Sequence, residues 1–327
     1  MHGNIATEPD ERVRRQGSNP KIGLPIPSHS TVLRRRHIEA MQSQQHLIIV
    51  RAPAGSGKTT LVGQWAAIRR DAGDLIAWVT VDRFDNDLHA FWSLVIAAVD
   101  DAAAAGVTPL SSLISPRDAT EPGFLDAFTQ AVGALGRPVS VVIDDFHEIH
   151  DTETLQSLEL LARNVRMPFR LVLVSRSRPT IAIERLGLED GYELVDPDSM
   201  RFGRIEAAEL LRLHGVELDG ERLDAVLDQT EGWAAGLRFV AAATDSQRRG
   251  VGQPIPTTIP IDAYLAEEIF ERHDADTQSF LLSTAICDHI TADLARTLSD
   301  HDDAAAVLAH LLYDNTLIVR LDTEVPT

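Results

Sequence analysis

Leu47-Ile48-Ile49-Val50-Arg51-Ala52-Pro53-Ala54-Gly55-Ser56-Gly57-Lys58-Thr59-Thr60 is the stretch that decides the fold. Its apolar opening, Leu47 to Val50, reads as a strand buried on both faces. After the turn, Leu61, Gln64, Trp65 and Ile68 recur at helical spacing across Thr60 to Arg70. Strand, glycine-bearing turn and helix in that order form a phosphate loop. Gly55 and Gly57 let the backbone aim its N–H groups at phosphate oxygens. The following helix adds its positive dipole end, and Lys58 reaches the β- and γ-phosphates. Thr59 can offer its hydroxyl to Mg²⁺, and Pro53, Ala54, Ser56 and Thr60 complete the nucleotide-binding stretch. Ala52 stands where such loops usually begin with glycine, at a position that needs less conformational freedom than the others.

Working outward, three further apolar runs alternate with helical patterns: Ile76 to Val81, Val139 to Ile143 and Leu171 to Val174, with a weaker fifth strand at Tyr192 to Val195. The alternation predicts an α/β fold, a P-loop NTPase parallel sheet flanked by helices. Helices are expected at Leu88 to Ala105, with Phe91, Trp92, Val95 and Val99 as its apolar stripe, and at Phe124 to Leu135. The Pro/Gly-punctuated loop 106–123 leads into the second. Val141-Val142-Ile143-Asp144-Asp145 ends a strand in paired acids. Beside a phosphate loop, Asp144 orients Mg²⁺ and Asp145 polarises the attacking water. His147, Glu148, His150 and Asp151 add a second reading, a transition-metal site, but no further cluster completes the ligands, Mg²⁺ already explains the acids, and solvated helix-cap residues are the preferred reading. Leu171 to Arg176 ends a strand in a guanidinium that can sense the γ-phosphate, with a structural ion pair as the alternative. Asp82, Asp85, Asn86 and Asp87 shape a turn and cap before Leu88, with a nucleotide role left open.

The period changes near residue 200. Ile205 to His214 and Leu223 to Ala242 read as two helices, a Gly/Pro/Thr-rich stretch from Gln247 to Pro260 reads as a linker, and four more helical patterns follow. These are Ile261 to Arg272, Ala275 to Ala285, Thr291 to Leu298 and Ala304 to Leu312, ahead of a β-like run from Thr316 to Leu321 that looks like the first strand of a wing. The expected organisation is a disordered tail (1–21), a nucleotide-binding domain (22–200), a helical domain (201–246), a linker (247–260) and an incomplete winged-helix domain (261–327). The run Arg34-Arg35-Arg36 before the first strand is expected to be a solvated face.

Composition narrows the partners. The 327 residues carry a formal charge of −19, which argues against a broad grip on a phosphate backbone, so a DNA-binding module is expected elsewhere. The single cysteine, Cys287, excludes an internal disulfide and reads as a small buried apolar residue. No stretch reaches the ~20 apolar residues of a membrane span, and no signal-peptide core opens the chain, so a soluble cytoplasmic protein is expected.

Together these strings resemble the STAND class of signal-transduction ATPases, and within it the ATP-binding large LuxR-type transcription regulators of the maltose-regulon activator kind. The resemblance runs through Pro53 to Leu61 with Gln64-Trp65-Ala66, Ala77-Trp78, Asp85-Asn86-Asp87, Val142 to His147, and Val174-Ser175-Arg176 with Pro179. It continues through Glu231-Gly232-Trp233-Ala234-Ala235-Gly236-Leu237 and Tyr264-Leu265-Ala266-Glu267-Glu268. It implies a nucleotide-binding domain, a helical domain and a winged helix closing over ADP at rest, with exchange for ATP licensing self-association. It also places Val32 and Arg34 beside the adenine, with Arg36 as a rival register. Related switches carry Gly-x-Pro where this chain has Gly232-Trp233-Ala234, so Trp233 reads as core packing. In the family a wing histidine meets ADP. This sequence stops at Thr327 before it, and the sensor repeats and helix-turn-helix through which inducer and DNA act are absent, as expected of a fragment or a truncated protein. A slow ATPase switch is the preferred reading. A metabolic or motor P-loop enzyme and an ADP-binding scaffold without turnover are the alternatives.

Overall fold

The computed structural model describes residues 19–26, 30–43, 45–103, 110, 113–116, 123–164, 168–181, 191–248, 270–271, 273–287 and 289–313. All of the expected helix at Ile261 to Arg272 except residues 270–271, the wing strand at Thr316 to Leu321 and most of the expected tail and linker lie outside these residues.

Five strands, β1 (Leu47–Arg51), β2 (Leu75–Thr80), β3 (Val139–Asp144), β4 (Phe169–Ser175) and β5 (Glu193–Val195), form one sheet in the order β2-β3-β4-β1-β5. Every pair is parallel. The register aligns Arg51 with Ser175 and Thr80 with Asp144, so the carboxyl ends of β1 to β4 share one edge. In open parallel sheets that edge is where ligands bind. The near-continuous apolar runs are explained by helices on both faces. Leu47 and Ile49 of β1 face α3 (Leu88–Ala103), α4 (Phe124–Gly133) and α5 (Thr152–Asn164). Ile48 and Val50 face α1 (Arg35–Ala40) and α2 (Lys58–Asp71). On the first face Trp92 meets Phe91, Phe124 and Phe128 edge-on, and its indole N–H donates to Ser157 Oγ at 2.9 Å, so burial of the ring leaves no orphaned donor. On the second, Trp65 donates to Met41 O at 3.1 Å.

Residues 21–23, of which Lys21 was expected in the tail, are seated against the free side of β2. Thr80 N donates to Lys21 O at 2.9 Å, Gly23 N donates to Trp78 O at 3.2 Å, and Ile22 bridges Val79 antiparallel. Lys21 Nζ lies 2.7 Å from Asp85 and 2.9 Å from Asp82. Those acids shape the turn after β2: Asp82 and Asp85 form a capping box, and Asp87 accepts from Ala90 N at the start of α3. Asn86 Oδ1 accepts from His150 N and Asp151 N, and Asp151 caps α5 through Thr154 N at 2.8 Å.

Beyond the sheet, α6 (Arg204–Leu213), α7 (Gly220–Thr230) and α8 (Ala234–Arg248) enclose a second apolar cluster of Leu210, Leu211, Val216, Leu223, Leu237 and Ala241. The single helix expected from Leu223 to Ala242 is in fact two. It breaks at Glu231 (φ 48) and Gly232 (φ 70), both in the left-handed region, which ends α7 and lets α8 leave in a new direction. A Cβ on Gly232 would stand 2.6 Å from Phe202 O, so the position admits only glycine without movement. A third cluster of Phe280, Leu281, Ala295, Ala304 and Leu311 joins α9 (Ala275–Thr284), α10 (Ala292–Ser299) and α11 (Ala304–Tyr313). Asp274 and Thr291 N-cap the first two. Among the described residues no helix is long and apolar enough to cross a membrane.

Candidate nucleotide site

The loop between β1 and α2 turns on Gly55 (φ 71) and Gly57 (φ 89), conformations that a side chain would strain. Gly57 serves as N-cap without any side-chain cap, so the first amides of α2 have no partner from the capping residue. Lys58 is buried, and its ammonium donates to Pro53 O at 3.0 Å across the loop. Burial, with the Arg176 charge next in effect, lowers its pKa from 10.5 to about 8. Ser56 Oγ is buried with no hydrogen-bond partner. Two cations held together, an orphaned hydroxyl and an uncapped helix start form an environment that a polyanion would complete.

Asp144 ends β3 within reach of the loop. Its Oδ2 accepts from Thr59 Oγ1 at 3.0 Å, and its Oδ1 accepts from Asp145 N at 3.1 Å. Only 3% exposed, it is pushed up to about 6, first by burial and then by the Asp145 charge. A hydroxyl and a carboxylate, both hard oxygen donors, suit Mg²⁺. Asp145 adopts the left-handed conformation (φ 56), which turns its carboxylate toward solvent at 38% exposure while Asp144 stays inside. Neighbouring acids thus face different environments.

One cavity of about 800 Å³ unites most of the expected residues: Val32, Arg34, the loop from Ala54 to Thr60, Asp145 and Arg176. Pro53 and Asp144 stand behind its wall, the first through Lys58 and the second through Thr59. None of Asp82, Asp85, Asn86 or Asp87 lines it. Val32 is 4% exposed and belongs to the apolar cluster of the α6–α8 region. Gln64 of α2 fixes this segment, donating through Nε2 to Val32 O at 2.9 Å. Arg34 is no solvated charge. Its guanidinium donates to Glu206 Oε1 at 3.0 Å and to Met200 O at 3.1 Å, and sits 4.2 Å over the Phe202 ring. Arg36 stays exposed.

Sequence reasoning missed the opposite wall. Phe202, Leu210, His214 and, along α8, Ala234, Ala235, Arg238, Phe239, Ala241 and Ala242 complete the cavity. Ala234, Arg238, Ala241 and Ala242 fall on one helical face, and a stripe of small residues interrupted by one cation was the available signal. Trp233, expected in a core, instead reaches the phosphate loop: its Nε1 donates to Ala54 O at 3.0 Å, while Ala235 N donates to Gly55 O at 3.0 Å.

Residues 32–174 match the AAA ATPase domain family, and residues 266–327 match the MalT winged helix domain family. In its winged-helix part the chain is similar to MalT. It is 26% identical over 314 residues to the HTH-type transcriptional regulator MalT of Vibrio cholerae serotype O1, covering 93% of this chain and 34% of that protein. It is 27% identical over 313 residues to that of Serratia proteamaculans, covering 92% and 34%. The chain therefore spans about a third of the length of these relatives. A signal transduction ATPase with numerous domains from Pyrococcus horikoshii, which carries a tetratricopeptide repeat sensor, superposes with a TM-score of 0.50 at 16% identity over 89% of this chain and 40% of its own. That superposition supports the fold alone, a P-loop ATPase sheet flanked by helices, and the winged-helix part is supported by the family match over 266–327.

Proposed function

We propose that this chain is the ATP-binding switch of a LuxR-type transcription regulator, holding ADP at rest and self-associating once ATP replaces it. The observation that carries the reading is the shared cavity, in which the phosphate loop, Asp145 and Arg176 face α8 across one space. A ligand that fills such a space contacts both walls, and its γ-phosphate can bias how they sit. Lys58 and the α2 amides would hold the phosphates, Thr59 and Asp144 the Mg²⁺, and the Val32 to Arg34 segment the base. Bound Mg²⁺ would supply charge neutralisation at the β- and γ-oxygens. Asp145, turned to solvent, is placed to orient a water. Arg176, whose charge already acts on Lys58, is placed to read an added negative group. Slow hydrolysis would reset the switch.

The proposed organisation follows: a nucleotide-binding domain over 22–200, a helical domain over 201–246, a linker over 247–260 and a winged helix over 261–327. Inducer recognition and DNA control would belong to regions of the whole protein beyond those described here. Titration with Mg·ADP and Mg·ATP by calorimetry, paired with sedimentation velocity, tests the reading. Both nucleotides should bind the wild-type chain, ATP alone should raise the sedimentation coefficient, and Lys58→Ala should lose binding. Undiminished affinity in Lys58→Ala would refute the site, and identical sedimentation with either nucleotide would refute the switch.

A further inference from the structure

A loop that aims its amides at an anion must direct the intervening carbonyls elsewhere, and each buried carbonyl needs a donor. Three consecutive carbonyls of the phosphate loop find theirs in different places. Pro53 O receives Lys58 Nζ from within the loop. Ala54 O and Gly55 O receive the Trp233 indole N–H and the Ala235 backbone N–H, both from the start of α8, about 180 residues away in sequence. First-turn helix amides lack partners inside their own helix, so Ala235 N is free to serve the loop.

The surrounding residues build a seat for that indole. The left-handed pair Glu231 and Gly232 ends α7 and places Trp233 at the turn, where its own N–H donates to Thr230 O at 2.8 Å. Phe202 N donates to Gly232 O at 2.8 Å and pins the turn to the connection from β5. A Cβ on Gly236 would come within 3.1 Å of Trp233 Cε3, so glycine there makes room for the ring, which tilts against Phe239 at 6.4 Å.

We infer that Trp233 is a positioning residue for the phosphate loop: by holding the Ala54 carbonyl outward it helps keep the loop's amides turned to the phosphates, so that nucleotide affinity depends on α8 being seated. Coupling of this kind is reciprocal, and bound nucleotide tightens the seat by the same factor as the seat tightens the nucleotide. The inference rests on the nucleotide-binding reading above and adds to it a lever outside the loop. A tryptophan indole only donates, whereas phenylalanine keeps an aromatic ring and lacks the donor, so the two separate hydrogen bonding from packing.

The test uses the full chain as Trp233→Phe, with dissociation of a fluorescent ADP analogue chased by excess ADP in a stopped-flow instrument. Loss of one net hydrogen bond should raise the off-rate roughly threefold to tenfold. Amide exchange of the 53–60 segment in nucleotide-free protein should quicken, while the melting midpoint stays within about 2 °C of wild type. An unchanged off-rate with unchanged loop exchange overturns the inference. If Trp233→Phe melts earlier, benzothienylalanine at 233, which has the indole's shape without its N–H, decides: an off-rate and loop exchange equal to wild type overturn the inference, and a raised off-rate sustains it. Should wild-type chain bind no ADP analogue, the nucleotide reading fails by itself, and the loop exchange of the two nucleotide-free proteins still judges the role of Trp233.

Discussion

Two glycines four residues apart should respond very differently to the same added methyl group. At Gly232 the backbone is left-handed (φ 70), and a Cβ would stand 2.6 Å from Phe202 O and 2.9 Å from Phe202 N. Left-handed geometry alone costs an alanine about 1–2 kcal/mol. The nearer obstacle is backbone, which cannot rotate away, and relieving it requires breaking the 2.8 Å bond from Phe202 N to Gly232 O, about 1 kcal/mol more. Gly232→Ala should therefore destabilise the chain by roughly 2–3 kcal/mol, a large share of an ordinary domain's stability. At Gly236, inside α8, alanine gains up to about 1 kcal/mol of helix propensity. That gain is offset by contacts at 3.1 Å and 3.2 Å with the side chains of Trp233 and Thr230, which can shift by tenths of an ångström. Gly236→Ala should lie within about 1 kcal/mol of wild type. Urea unfolding followed by circular dichroism reads both. Gly232→Ala should also quicken exchange at the Ala235 amide, because the turn that seats it has moved. A Gly232→Ala midpoint equal to that of Gly236→Ala would refute the argument that the α7–α8 break is enforced by this backbone contact.

Three further outcomes follow from the site and its junction. Asp145→Asn should keep Mg·ADP affinity within about threefold and lose phosphate release from ATP, measured by a coupled phosphate assay; full turnover would assign the base elsewhere. Nucleotide binding should peak between about pH 6 and pH 8, because Asp144 must be ionised and Lys58 protonated to hold Mg²⁺ and phosphate. The accompanying stability signs are fixed: Asp144, raised from 3.8 to about 6, contributes stability at low pH that is lost as pH rises through that window, whereas Lys58, lowered from 10.5 to about 8, gives stability that rises between those values. Calorimetry from pH 5 to pH 9 checks the binding curve, and a flat profile would contradict it. Arg34→Lys should cost about 2–4 kcal/mol in unfolding free energy, since an ammonium cannot serve Glu206, the Met200 carbonyl and the Phe202 face together; a change under about 0.5 kcal/mol would show the junction is held otherwise.

The phosphate loop and the acids ending β3 were legible because their chemistry is local. Glycines, a lysine and a hydroxyl must follow one another at fixed spacing, and an apolar strand must precede them. The buried seat of Arg34 was not, because a run of three arginines looks solvated until Glu206, 172 residues later, is brought beside it. The break at Glu231 and Gly232 was hidden for a similar reason: the helical period resumes on either side, and what stops the helix is contact with Phe202, which periodicity cannot register. Trp233 misled in the opposite sense. Its place in Gly232-Trp233-Ala234, where related switches carry Gly-x-Pro, suggested core packing, whereas its indole donor holds it to the phosphate loop.

The strap formed by residues 21–23 has a consequence for how copies of this chain can meet. An open parallel sheet ends in a strand whose amides and carbonyls invite another strand, the usual start of fibre growth. On β2 that invitation is already answered, by Lys21 O and Gly23 N on the ladder and by an ammonium ion tied down between two carboxylates. Self-association on that side cannot proceed by lengthening the sheet. Contacts between copies on that side would have to be built from helix and loop surfaces, and removal of the strap would open the β2 edge to strand addition.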